Sequence, residues 1–263
     1  MPEGHTVQRT ANWFNEHLKG KKVKVDSPQG RFNSDAKRIN NRVLINARAI
    51  GKQLFLDFDN DLTCRIHLGI YGKWRYSEPF HNEIVGEVRA RFFTKAALAD
   101  LRGPTYCQVI PTEEMVHLEN KLGPDPTNPD PRKLNQKRFI ERVSKSKSAI
   151  GLLLMNQSVV SGIGNVYRAE ILFRAGIDPH TPGSNLLVSQ ISELWLDSVK
   201  LMKIGVQKGA MVTREEQLKK KGISPERNYV YKREGLECFR CKGTVVIEVM
   251  ASRKLYWCPG CQN

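Results

Sequence analysis

The sequence predicts an α+β fold: an N-terminal antiparallel β-sandwich with a packed N-terminal helix, then a helical domain and a C-terminal four-cysteine finger. Three observations predict it. Residues 21–93 carry short apolar runs at alternating positions, separated by turn residues. The proline-rich stretch Leu122-Gly-Pro-Asp-Pro-Thr-Asn-Pro-Asp-Pro131 divides this region from one of helical periodicity. Two C-x-x-C pairs, Cys238/Cys241 and Cys258/Cys261, stand sixteen residues apart, a spacing that suits two knuckles around one tetrahedral zinc ion. The expected organisation is a sandwich domain at 1–118, a linker at 119–134, a helical domain at 135–235 and a finger at 236–263.

Each element has its own warrant. Val7, Ala11, Phe14 and Leu18 recur at helical spacing over 3–19, and Gly20 can end that helix. Leu54, Leu56 and Phe58 set a strand, Asp59-Asn60-Asp61 a turn, and Leu62, Cys64 and Ile66 the returning strand. Helices are expected at 135–145, 149–155, 165–175 and 186–207. Residues 207–235 are basic and poor in apolar side chains, with Lys219, Lys220 and Lys221 in a row. They read as an exposed, partly mobile connection, or equally as an ordinary solvated surface. In the finger, Val245, Val246, Ile247 and Val249 favour one strand and Leu255, Tyr256 and Trp257 another. Ala251-Ser252-Arg253-Lys254 falls between them, which puts Arg253 and Lys254 at the hairpin tip.

Among 263 residues, 42 Lys and Arg face 27 Asp and Glu, a net charge of +15. That excess favours an anionic partner, with nucleic acid foremost. There is no long apolar run and no signal-peptide pattern, so a soluble cytoplasmic protein without a membrane partner is expected. Cys64 and Cys107 stand in apolar contexts and read as buried thiols, not a disulfide.

Three short motifs carry chemistry. Met1-Pro2-Glu3 permits removal of the initiator methionine, which would leave a secondary amine on Pro2. Attack of such an amine on an aldehyde carbon yields an iminium, an electron sink that needs no proton; Glu3 beside it is a candidate acid. Read alone, however, Met-Pro-Glu begins many proteins. Lys52, at a strand start, suits a phosphate contact or proton transfer. Ser161-Gly-Ile-Gly-Asn165 separates two helical stretches, with Asn165 placed to cap the second and main-chain amides free for an anion; an ordinary capped turn fits as well.

Together these motifs resemble the formamidopyrimidine-DNA glycosylase and endonuclease VIII family of base-excision repair enzymes. Met1-Pro-Glu-Gly4 is similar to the family's start, which implies that Pro2 is the Schiff-base nucleophile and Glu3 the general acid. Gly51-Lys52 matches its catalytic lysine. Leu153-Leu-Met-Asn-Gln-Ser-Val-Val-Ser-Gly-Ile-Gly-Asn-Val-Tyr-Arg-Ala-Glu170 resembles its helix-two-turn-helix, with Asn165 on DNA phosphates. Ser252-Arg-Lys-Leu-Tyr-Trp-Cys-Pro-Gly-Cys-Gln262 resembles the end of its zinc finger, with Arg253 on the phosphates beside the lesion. The likeness leans to the endonuclease VIII branch, especially its actinobacterial-type members. His67-Leu-Gly-Ile-Tyr-Gly72 resembles the loop that fills the gap left by an everted base, through Ile70 and Tyr71. In Asp100-Leu-Arg-Gly-Pro104, Arg102 keeps an arginine's place while Pro104 replaces the phenylalanine wedge of the other branch. Lys121 would contact a phosphate. Many relatives carry a glutamate where this chain has Thr6; any proton-shuttling role it has is either absent here or supplied elsewhere, with Glu170 as a candidate.

The resemblance implies a monomeric bifunctional DNA glycosylase and abasic-site lyase, nucleoid-associated in a bacterial cytoplasm. It would hold damaged double-stranded DNA in a basic cleft, bind one structural Zn2+, and excise oxidised bases, pyrimidines foremost, with β,δ-elimination. The rival reading is a non-catalytic zinc-ribbon DNA-binding protein or damage sensor; Pro2 with Glu3 and Lys52, which binding alone does not require, discriminates against it. An RNA-binding zinc ribbon ranks last, because no RNA-recognition sheet motif is present.

Overall fold

The apolar stripe of the first helix becomes the buried face of α1 (Gly4–His17), where Val7, Ala11 and Phe14 are inaccessible to solvent. The computed structural model describes residues 2–81 and 83–263, so removal of Met1 lies outside the described residues. The chain divides into two units, Met1–Lys121 and Leu122–Asn263.

In the first unit α1 is followed by β1 (Lys22–Asp26), α2 (Asn33–Ile39), β2 (Arg42–Ile50), β3 (Gln53–Phe58), β4 (Leu62–His67), β5 (Lys73–Ser77), β6 (Ala90–Phe93), β7 (Leu98–Arg102), β8 (Tyr106–Pro111) and α3 (Thr112–Lys121). The strands run in the order β5-β7-β6-β1-β2-β3-β4-β8, every neighbouring pair antiparallel. Alternate residues meet in one core: Val23 and Val25, Leu54 and Leu56, Cys64 and Ile66, Phe92 and Leu101, closed by Phe14 and Leu18. Cys64 is buried and Cys107 half-buried, both as free thiols.

Two features depart from the sequence reading. Helix α2 lies where only strands were expected; it is short, and it buries only Ala36 and Ile39. Strand β3 does not alternate simply, because Phe55 is as buried as Leu54 and Leu56. Phe55 packs on the opposite face with Ile110 and Met115, so α3 gives β3 a second apolar surface.

The second unit contains α4 (Leu134–Ser144), α5 (Ile150–Leu153), α6 (Asn165–Ala175), α7 (Val188–Lys208), α8 (Glu215–Leu218) and a hairpin of β9 (Val246–Met250) and β10 (Arg253–Trp257). The proline-rich stretch is no loose tether. Lys121 ends α3, and Gly123, Pro124 and Asp125 are buried. The Gly123 amide donates to the Gln157 carbonyl (2.8 Å), and the Ser161 amide donates to the Pro124 carbonyl (3.0 Å).

The basic segment 207–235 is likewise better anchored than a mobile connection. Val212, Thr213, Tyr229 and Val230 are buried, while its longest exposed run is residues 219–223, which includes Lys219, Lys220 and Lys221. The hairpin turn is tighter than expected. Ala251 and Ser252 both have positive φ (48° and 58°), as a two-residue type I′ turn requires. Arg253 therefore pairs with Met250, and Lys254 with Val249, in the ladder. Both are exposed residues of β10, not tip residues.

Candidate active site

The chain enters α1 through Glu3. Its backbone is extended, and its carbonyl accepts the amides of Thr6 (2.9 Å) and Val7 (3.4 Å). Glu3 is fully buried, while Pro2 is half-buried and lines a cavity of about 360 Å³. Thr6, Arg9 and Thr10 wall it from α1; Leu68, Gly72, Lys73, Trp74 and Tyr76 wall it from the loop after β4 and from β5. A buried carboxylate one residue from a cavity-lining proline suits acid–base work there once that proline carries a free amine.

The cavity wall is largely apolar, through Trp13, Leu68 and Trp74, and carries an ordered polar pair. Tyr76 donates its hydroxyl to Thr10 Oγ1 (3.0 Å), and burial pushes its phenol up to about 12, so it stays a donor at neutral pH. Burial, aided by the charge of Arg9, lowers His5 to about 4. Its ring is therefore neutral, with Nε2 3.2 Å from Thr6 Oγ1. Thr10 and Tyr76 escape sequence reading, because their only signal is helical and strand spacing around Pro2.

Lys52 occupies the two-residue turn between β2 and β3, in which Ile50 pairs with Gln53 and Gly51 has φ +59°. Gln53 pairs in turn with His67. Burial, then the charges of Lys52 and Arg65, push the His67 imidazole down, which identifies a cationic cluster at this end of the sheet. The loop after β4 presents Ile70 and Tyr71 to solvent, 50% and 80% exposed. Its return is tight: a Cβ on Gly72 would lie 2.3 Å from the Leu68 carbonyl oxygen. Arg102 ends β7 opposite Lys73, and two of its guanidinium nitrogens are buried without a hydrogen-bond partner among the described residues. Pro104 is buried, and Lys121 is exposed at the end of α3.

In the second unit Asn165 is the first residue of α6, and Gly164 is its cap. This corrects the capping role expected for Asn165. Its Nδ2 donates to the Lys254 carbonyl (2.8 Å), and Arg168 donates to Asn165 Oδ1 (2.5 Å) and to the same carbonyl (3.2 Å). The first turn of α6 is thus tied to the strand bearing Arg253. Glu170 cannot stand in for a glutamate at Thr6. It is buried, with its carboxylate taken by the amides of Tyr229 (2.7 Å), Val230 (2.8 Å) and Tyr231 (2.8 Å) and by the Thr213 hydroxyl.

The four cysteines converge. All four sulfurs lie within 4.8 Å of one another, with Cys238 to Cys261 at 3.7 Å and Cys241 to Cys258 at 3.4 Å. Metal–sulfur bonds of about 2.3 Å in a tetrahedron place sulfurs about 3.8 Å apart, so the residues fit one metal ion.

Comparison with known proteins agrees with this arrangement. The formamidopyrimidine-DNA glycosylase N-terminal domain matches residues 1–107, and the H2TH domain of the same enzyme matches residues 122–226. Endonuclease 8 1 of Mycobacterium tuberculosis is 39% identical over the whole of both chains. The chain belongs to the formamidopyrimidine-DNA glycosylase and endonuclease VIII family. Endonuclease 8 of Escherichia coli is 27% identical, and formamidopyrimidine-DNA glycosylase of Neisseria meningitidis 29% identical, each over full length. The Lactococcus lactis Fpg (MutM) structure with a benzyl-Fapy-dG DNA shares the fold at TM-score 0.82 and 24% identity, covering both chains fully. Members of this family are DNA glycosylases with abasic-site lyase activity in base excision repair, and this protein is one of them. Among the described residues, no helix is long and apolar enough to cross a membrane.

Proposed function

We propose that the protein excises oxidised bases, pyrimidines foremost, from double-stranded DNA through a Schiff base on Pro2, followed by β,δ-elimination. With Met1 removed, the Pro2 nitrogen attacks the sugar C1′ as Glu3 assists departure of the base and opening of the sugar. The iminium acidifies the C2′ protons, and the two phosphates leave in turn. Lys52 anchors a phosphate and moves protons near the flipped nucleotide. Arg253 and Asn165 grip the backbone phosphates, with Lys121 and Arg102 as further contacts. Ile70 and Tyr71 fill the space vacated by the everted base. Such contacts position the duplex without reading its sequence. Cys238, Cys241, Cys258 and Cys261 would hold one Zn2+ as a structural clip, and the enzyme works as a monomer.

The observation that carries this reading is the cavity at the start of α1, lined by Pro2 and flanked by the buried Glu3. A protein that only binds DNA has no use for that pair. Intact mass locates the N-terminus; borohydride trapping on abasic DNA then tests the nucleophile. A crosslink on Pro2 is expected. A crosslink mapped to Lys52 overturns the assignment.

A further inference from the structure

A second cavity, of about 440 Å³, lies in the first unit away from Pro2. Its rim is Lys21, Lys22, Lys24 and Lys95, and its floor includes Phe80 and Phe93. The two cavities share no lining residue, and Pro2 precedes and Lys21 follows the 14-residue helix α1, about 20 Å apart along its axis.

The groove follows from strand geometry. β1 alternates exposed and buried residues, so Lys22 and Lys24 share its outer face. Lys24 pairs directly with Phe93 on β6. Phe80, from the segment after β5, stacks on Phe93 with centroids 5.1 Å apart and planes at 23°. Lys21 Nζ is held near the end of α1 by the His17 carbonyl (2.7 Å). No carboxylate lines the groove among the described residues. Two half-buried phenyl rings ringed by four ammonium groups form neither a core nor a salt-bridged surface.

The occupant must be anionic and must also carry an apolar group. Duplex DNA satisfies only the first condition, since its bases are hidden and the phenyl floor gains nothing from phosphates. Single-stranded DNA stacks its bases on open aromatic faces, but here the two rings spend a face on each other. We propose that this groove docks an acidic peptide segment of a partner protein, its apolar side chain on Phe80 and Phe93 and its carboxylates on the lysines. None of the residues assigned above to catalysis or DNA contact lines this groove.

A fluorescein-labelled Asp-Asp-Glu-Asp-Leu-Phe peptide tests the proposal by anisotropy, with the enzyme saturated by an uncleavable abasic-analogue duplex so that the catalytic surface is occupied. Binding is expected, weakened at least tenfold by Lys22→Ser with Lys24→Ser. The same loss is expected when the peptide's acids become serine or its Leu-Phe becomes Gly-Gly. Abasic cleavage at saturating duplex should stay unchanged in the lysine variant, which shows that it folds; Phe80→Ser serves as a second probe. No peptide binding, binding indifferent to these changes, or a decathymidylate that binds the groove in the peptide's place with the same lysine dependence overturns the proposal.

Discussion

Asn165 donates its side-chain amide to the main-chain carbonyl of Lys254 at 2.8 Å. One hydrogen bond thus joins the first residue of α6 to the β-strand that begins with Arg253. Two residues proposed to hold DNA phosphates therefore share a single mechanical frame, and Arg168 braces both ends of the link.

Asn165→Ala should cost more than its own phosphate contact. It removes one of the two donors on the Lys254 carbonyl and one acceptor of the Arg168 guanidinium, in a site that is nearly inaccessible to solvent, at about 1–3 kcal/mol. Affinity for an uncleavable abasic duplex should fall roughly tenfold to a hundredfold. A loss below threefold would separate the link from DNA binding.

The metal and the arginine should dissociate experimentally. Arg253→Ala should impair cleavage while retaining bound zinc, because Arg253 is exposed on β10 and is no part of the sulfur cluster. Cys258→Ser should lose both zinc and cleavage. Metal analysis of the two purified variants, alongside abasic-site cleavage, checks this. Equal zinc loss in both would make Arg253 structural.

Binding to undamaged duplex should be electrostatic. A footprint of about six phosphates gives a slope of about −5 in log K against log salt. Titrations between 50 and 200 mM salt, on the order used for such slopes, would detect it. A flat dependence would contradict a basic DNA-binding surface.

Acid should loosen the first unit through His5. Its folded value, about 4, lies below the ordinary 6.5, so between these values the unfolded chain binds a proton that the folded chain refuses. Stability is complete above the unfolded value and falls as pH drops toward the folded one, by at most on the order of 3 kcal/mol. His5→Gln should show a flatter decline in urea-unfolding free energy across that window. An unchanged slope would show that another group carries the effect.

Lesion choice follows from the loop and from Pro104. The exposed Ile70 and Tyr71, the missing phenylalanine wedge and the likeness to endonuclease VIII favour thymine glycol and hydroxylated cytosine. Poorly stacked bases also cost less to evert. Single-turnover excision should be faster on thymine glycol than on 8-oxoguanine opposite cytosine. The reverse order would place the specificity in the other branch.

Much of this was legible in sequence because the signals were local. The stripe of α1, the alternation of β4 and the two cysteine knuckles each depend on residues a few positions apart. Failures arose where tertiary neighbours decide. Phe55 is buried only because α3 covers the far face of β3. The segment 207–235 is held by Glu170, 59 to 61 residues away from the amides it accepts. Glu170 resembled a spare acid in sequence, and nothing local marks it as a main-chain anchor. The cavity beside Pro2 was half legible: Pro2 and Glu3 stand in a motif, but Thr10 and Tyr76 meet across 66 positions.

The carboxylate of Glu170 has a consequence for recovery after metal loss. It grips three successive amides just before the finger, and the Asn165 bond holds the hairpin from the other side. A stripped finger thus remains leashed before its first knuckle and at Lys254, and Gln262 holds its far end on the Ile177 carbonyl, so its four thiols stay confined to a small volume. Recapture of the ion is then a reassembly at high effective concentration, not a search by a free chain. Demetallation should accordingly be a local and reversible injury.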